Sequence, residues 1–244
     1  GRLATHYRFW RGQPRSLWGI TPILTITLKA RSDRLLGIRG ESLVFTSYYI
    51  TQKFDHNLQS LLIRLRLENN VHFFRIVLAW SLLRYDFFNY FYDRGILPVN
   101  QLSHGPELAI LKRAGKRIYV YAYGADVRTR KQTLALGQWN CCIDCPEPGK
   151  YCVCDEFVGK ENISTVAKYA NALLAMGDMI EYVPNCRPLS YWPIDPFEIK
   201  YVGVSSVPGP LRVAHSTNHR AFKGSRFLEA AVFRLQEAGI PVEL

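Results

Sequence analysis

Residues 118–122, Ile-Tyr-Val-Tyr-Ala, form an unbroken apolar run that leads into Gly124-Ala125-Asp126-Val127-Arg128. A run without polar alternation suits a strand covered on both faces, and such strands belong to parallel sheets flanked by helices. The surrounding pattern agrees. Glu107 to Ala114 reads as a short helix with Gly115 at its C′ position. Asp86 to Tyr92 reads as a strand, and so do Leu3 to Phe9 and Ser42 to Ile50. Leu58 to Leu67 repeats apolar residues at 58, 61, 62 and 65, a helical face, and Val71 to Leu83 has helical length. Ser16 is a candidate N-cap for the stretch up to Leu36, where helix and strand both fit and Pro22 marks a kink. Ile163 to Met176 reads as a helix capped by Asn162, and Met179 to Tyr182 as a short strand. Strands alternating with helices give an α/β fold.

Residues 184–210 hold six of the 13 prolines and read as a linker. A new α/β unit follows. Arg212 to His215 is a strand, Ser216 to Lys223 a polar loop, and Phe227, Leu228, Ala231, Val232 and Leu235 a helical stripe ended by Gly239. Val242 opens another strand. A βαβ unit does not bury itself alone, so the expected organisation is a first domain over 1–183, a linker over 184–210, and the incomplete start of a second domain over 211–244.

The net charge of +11 is concentrated. Residues 1–40 carry eight basic residues and one acid; residues 111–131 carry seven and one. Such density attracts phosphates on nucleic acid, anionic lipid or a nucleotide-activated substrate, although a solvated basic face with no partner has the same composition. No apolar stretch reaches the roughly 18 residues of a membrane span, and the first residues lack the pattern of a signal peptide.

Five of the six cysteines fall within residues 141–154. Cys142, Cys145, Cys152 and Cys154 have spacings able to hold a structural zinc, in an insertion at about 140–156. Local disulfides and reduced thiols fit the same spacing.

The run Leu211 to Val232 resembles the opening of the nucleotide-sugar domain of GT-B glycosyltransferases, in particular the retaining group-1 family that builds polysaccharides. A strand leads to Lys223-Gly224 and then to a helix beginning near Ser225. Gly124 to Arg128 resembles the Gly-Ser-Asp-Val-Arg stretch of the family's acceptor domain. Gly12 to Ser16 occupies the place of its first glycine-containing loop, and Trp192 to Asp195 resembles its Pro-x-Asp segment. There are departures: Tyr123 stands where relatives often carry His, and Asn89 or Tyr90 lies near the place of another. By the order of the family's motifs, its Glu-x7-Glu element, which holds the nucleotide ribose and sugar, is expected beyond Leu244.

The resemblance implies a GT-B-like architecture, with a Rossmann-like amino-terminal domain and the first βαβ part of a second. It implies a hexosyltransferase-like enzyme moving a sugar from a nucleotide-diphosphate donor to a glycan or lipid-linked acceptor, with no metal required for catalysis. Lys223, Arg220 and Gly224 would bind the donor phosphates; Gly12, Arg15, Asp126 and Arg128 would line the acceptor side. The expected location is cytoplasmic, peripheral at the inner membrane face where anionic lipid meets the basic segments. The competing expectations are a zinc-knuckle nucleic-acid binder, which the α/β pattern disfavours, and an inactive fragment.

Overall fold

The computed structural model describes residues 12–48, 51–98, 104–189, 194, 198–201, 203, 209–217 and 219–244. Seven parallel strands form one sheet: β1 (Arg15–Ile20), β2 (Arg39–Val44), β3 (His56–Asn57), β4 (Phe87–Phe91), β5 (Arg117–Tyr121), β6 (Ala172–Ala175) and β7 (Arg187–Pro188). Their order is β3-β2-β1-β4-β5-β6-β7. The helices are α1 (Leu24–Leu35), α2 (Gln59–Leu65), α3 (Val71–Arg84), α4 (Gly105–Arg113), α5 (Arg130–Ala135) and α6 (Glu156–Tyr169). This is an α/β Rossmann-like fold, whose strand order reverses between β1 and β4. A second, two-stranded parallel sheet pairs β8 (Leu211–Arg212) with β9 (Val242–Glu243), joined through α7 (Ser225–Glu237).

The period-2 geometry of β1 sends its side chains to two cores. Leu17 joins Leu43, Phe88 and Ile118 on one side; Trp18 joins Ile26, Ala30, Val44 and Phe91 on the other. Each such side chain contributes roughly 1.5–3 kcal/mol by leaving water. The ambiguous stretch resolves into both elements: β1 first, then α1 starting two residues after Pro22, so the proline precedes the helix instead of kinking it. Ser16 lies inside β1 and is not an N-cap. Its hydroxyl and the Trp18 Nε1 both donate to Asp33 of α1, tying helix to strand.

The carboxyl-terminal half of the sheet corrects three further expectations. β5 is covered unequally: Ile118 and Val120 are sealed, while Tyr119 and Tyr121 are half-buried. α6 starts at Glu156, not Ile163, because the Asp155 carboxylate accepts the Val158 N–H at 2.9 Å and caps it. It stops at Tyr169, because Asn171 exchanges hydrogen bonds with the Ile118 backbone and starts β6. Residues 177–181 form a 3-10 turn where a strand was expected. Of α7's apolar stripe, Val232 is buried, whereas Phe227 and Leu235 are exposed. Leu3 to Phe9 lies outside the described residues, as does all of Trp192 to Asp195 except Ile194. Among the described residues no helix is long and apolar enough to cross a membrane.

Candidate functional site

In open parallel sheets, ligands bind outside the carboxyl ends of the strands, where the strand order reverses. Here that crevice opens beyond Ile20 of β1 and Phe91 of β4, with the end of β5 beside it. Its polar residues come from three successive loops. Thr21 follows β1, Asp93 lies two residues past β4, and Asp126 lies in the loop after β5.

Thr21 Oγ1 donates to Asp93 Oδ1 at 2.6 Å and ties the two diverging strand ends together. Asp93 Oδ2 meets Arg94 Nε at 3.0 Å. Asp126 is 3% exposed. Its Oδ1 accepts the N–H groups of Tyr123 (3.0 Å) and Gly124 (2.9 Å), and its Oδ2 accepts that of Tyr92 (3.2 Å). Burial and the neighbouring Asp93 charge push its carboxyl up to about 7, against the pull of the three N–H groups. The Asp126 carboxyl therefore keeps its proton up to near neutrality. The Gly124 backbone at φ +122 permits this turn, and a Cβ there would stand 2.3 Å from an Arg128 nitrogen.

His104, at the start of α4, completes the wall. Its Nε2 is 3.1 Å from the Tyr92 carbonyl. A carbonyl only accepts, so Nε2 carries the proton and Nδ1 holds a lone pair in the neutral ring. That Nδ1 is buried without a hydrogen-bond partner. Burial lowers the pKa of His104 and favours the neutral ring. Behind it, the buried Glu107 accepts the N–H groups of Ile96 (3.1 Å) and Leu97 (2.7 Å), fixing the loop after β4.

Of the residues singled out from sequence, Asp126 therefore lies at the crevice. Arg128 is beside it, but its guanidinium makes a two-point ion pair with Asp178 at 2.8 and 2.6 Å. Gly12 and Arg15 lie elsewhere: Arg15 begins β1, so both are at the amino end of the strand and not in the loop that follows it. Gly12 and Pro14 suggest a turn that would make position 15 loop; the buried residues 16–20 make it the start of a strand instead. Thr21, Asp93 and His104 were missed. Asp93 was within reach, since it directly follows the strand read as Asp86 to Tyr92. Nothing local marks His104, whose role depends on α4 packing against the end of β4.

Arg220, Lys223 and Gly224 stand together at the start of α7. Gly224, at φ +69, is its N-cap residue; Lys223 is exposed, and Arg220 is paired with Glu229. His215 Nε2 meets Ser225 Oγ at 2.8 Å and ties the end of β8 to the helix.

The cysteine-rich loop touches both regions. Its return segment pairs with the loop after β5, with Val153 N donating to Ala125 O at 3.0 Å and Cys154 N to Arg128 O at 3.1 Å. Its far side stacks Tyr151 against His219 (4.5 Å between ring centres) and Phe222, and Asp144 pairs with Arg226. All six cysteines are free thiols. Among the described residues no group of three or more His, Cys, Asp or Glu is placed to hold a metal ion. Burial pushes the Cys142 thiol up to about 11 and raises Cys152 as well.

No protein-family profile, curated protein or solved structure matches the chain.

Proposed function

We propose that the protein takes part in sugar transfer from a nucleotide-diphosphate donor to a hydroxyl of a glycan or lipid-linked acceptor. The observation that carries this reading is the cysteine-rich loop, which packs on one side against the Asp126 loop and on the other against the loop opening α7. One connection thus spans a crevice of acids and a basic helix start. Those are the two chemistries that the transfer needs.

In this reading Lys223, next to the amino end of α7, supplies positive charge for the donor diphosphate, with Arg220 beside it. The acceptor hydroxyl oxygen forms a bond to the anomeric carbon as the bond from that carbon to the phosphate oxygen breaks. The nucleoside diphosphate leaves with the electron pair. Asp93, the more exposed carboxylate of the crevice, receives the hydroxyl proton; Thr21 and Arg94 hold it in place. Asp126 shapes the loop through its backbone hydrogen bonds. Gly12 and Arg15 have no acceptor role in this scheme, and Arg128 acts through Asp178 as a brace. No metal is assigned to the reaction. Ile76, Trp80 and Leu83 on the exposed side of α3, with Arg75 beside them, offer an amphipathic face suited to an anionic membrane that carries a lipid-linked acceptor.

Calorimetric titration of the full chain with UDP, GDP and ADP tests the donor side. At least one should bind saturably, and Lys223→Ala should weaken it by about tenfold, the value of one charge-assisted contact. Absence of binding by all three, or binding indifferent to Lys223→Ala, overturns the assignment. The nucleic-acid reading rests on the basic segments, their aromatic neighbours and the cysteine cluster, and no crevice or helix start favours it.

A further inference from the structure

Five thiols crowd into the cysteine-rich loop, and sugar transfer gives none of them a task. Arg130, at the start of α5, holds the two ends of the loop side by side. Its N–H donates to the Cys154 carbonyl at 2.8 Å, and its guanidinium to the Cys142 carbonyl at 3.3 Å. Within the loop two pairs of thiols are in hydrogen-bond contact, Cys141 with Cys142 and Cys152 with Cys154.

The two pairs differ. Cys141 and Cys142 are adjacent, so a bridge between them would close over a single planar trans peptide, which resists it. Cys142 is also buried. Cys152 and Cys154 are two residues apart, which keeps their Cα atoms within about 7 Å in any backbone conformation; a disulfide needs about 4.4–6.8 Å. Both are half-buried, within reach of a small reagent. The backbone at Cys154 is unusual as well. Its φ is +62, and the Asp155 N–H turns back to the Val153 carbonyl at 2.6 Å. A three-residue turn at positive φ is the rare, strained form. The bond from Arg130 keeps it in place, together with those from Val153 N to Ala125 O at 3.0 Å and from Cys154 N to Arg128 O at 3.1 Å. Strain of this kind persists where the surroundings over-determine it, and it clusters at reactive sites.

We propose that Cys152 and Cys154 form a redox-active dithiol whose substrate is a low-molecular-weight disulfide of the glutathione class. Cys154 attacks as the thiolate, since burial keeps the proton on Cys152. It bonds to one sulfur of the small disulfide and expels the other as a thiolate. Cys152 then gives up its proton to that thiolate, attacks the Cys154 sulfur and expels the second small thiolate, which takes the proton Cys154 released at the start. The chain loses two electrons and two protons, and the small disulfide leaves as two thiols. The inference goes beyond the transferase reading and does not depend on it.

Trypsin separates the possible bridges. Cleavage after Lys131, Lys150 and Lys160 puts Cys141, Cys142 and Cys145 in one peptide and Cys152 and Cys154 in the next. The test equilibrates the full chain with mixtures of reduced and oxidised glutathione, quenches with acid and alkylates the remaining thiols. Free thiols should fall from six to four. Peptide 151–160 should lose the mass of two hydrogens and stay unlinked to peptide 132–150. This mapping uses the wild-type chain, so it does not depend on any variant folding. Cys152→Ser should retain one glutathione on Cys154, and Cys186→Ser should oxidise as the wild type does. A bridge joining the two peptides, six thiols persisting in every mixture, or a zinc ion that co-purifies and shields the loop until it is chelated overturns the proposal.

Discussion

Asp126 provides the sharpest test of the crevice's electrostatics. Its ordinary value is 3.8 and the folded chain raises it to about 7, with burial the first cause and the Asp93 charge the second. Between those values the folded protein holds a proton that the unfolded chain has released. Stability must therefore fall as pH rises from about 4 to about 7, and the gap is worth about 4 kcal/mol at full development. Asp126→Asn removes the titration. It also places an amide N–H opposite one of the three backbone N–H groups, costing about 1–3 kcal/mol at every pH. The difference in unfolding free energy between wild type and variant, measured by urea denaturation, should shrink by about 4 kcal/mol over that window and then level off. Asp93→Asn should weaken the slope by removing the repelling charge. A difference that stays constant or grows with pH would refute the reasoning. It would mean that the three N–H groups outweigh burial and keep Asp126 an ordinary carboxylate.

Glu41 should behave with the opposite sign. The bonds from Arg84, Tyr85 and His56 outweigh its desolvation and hold its carboxyl at about 2, below its ordinary 4.5. Its stabilisation is complete above 4.5 and is lost as pH falls toward about 2, so Glu41→Gln should cost about 1–3 kcal/mol at neutral pH and much less in acid, by the same denaturation series. Gly40→Ala puts a Cβ 2.3 Å from the Ala30 carbonyl oxygen, where α1 crosses β2. Both atoms belong to packed elements, so a loss of about 2–4 kcal/mol is expected by thermal unfolding; a neutral result would show that α1 can slide.

The sequence determined the α/β class, because apolar runs of strand length alternate with helical spacings and each run announces its own burial. It also determined several helix positions: Leu58 to Leu67 and the α7 stripe carry their period within themselves, and the apolar run Val71 to Leu83 has helical length. Asp126 was visible for the same reason, since it follows the least ambiguous strand. What local pattern could not decide was the order of strands, and with it the crevice. Ser16 to Ile20 has no period of its own to separate strand from helix; only neighbours on both sides made it β1 and moved Arg15 to the far end of the sheet. Asp93 and Thr21 are 72 residues apart. His104 gains its place from a loop that the buried Glu107 pins. Periodicity reports which face of an element is buried, but the chemistry of a site depends on which elements are neighbours, and that is set by the packing of the whole sheet.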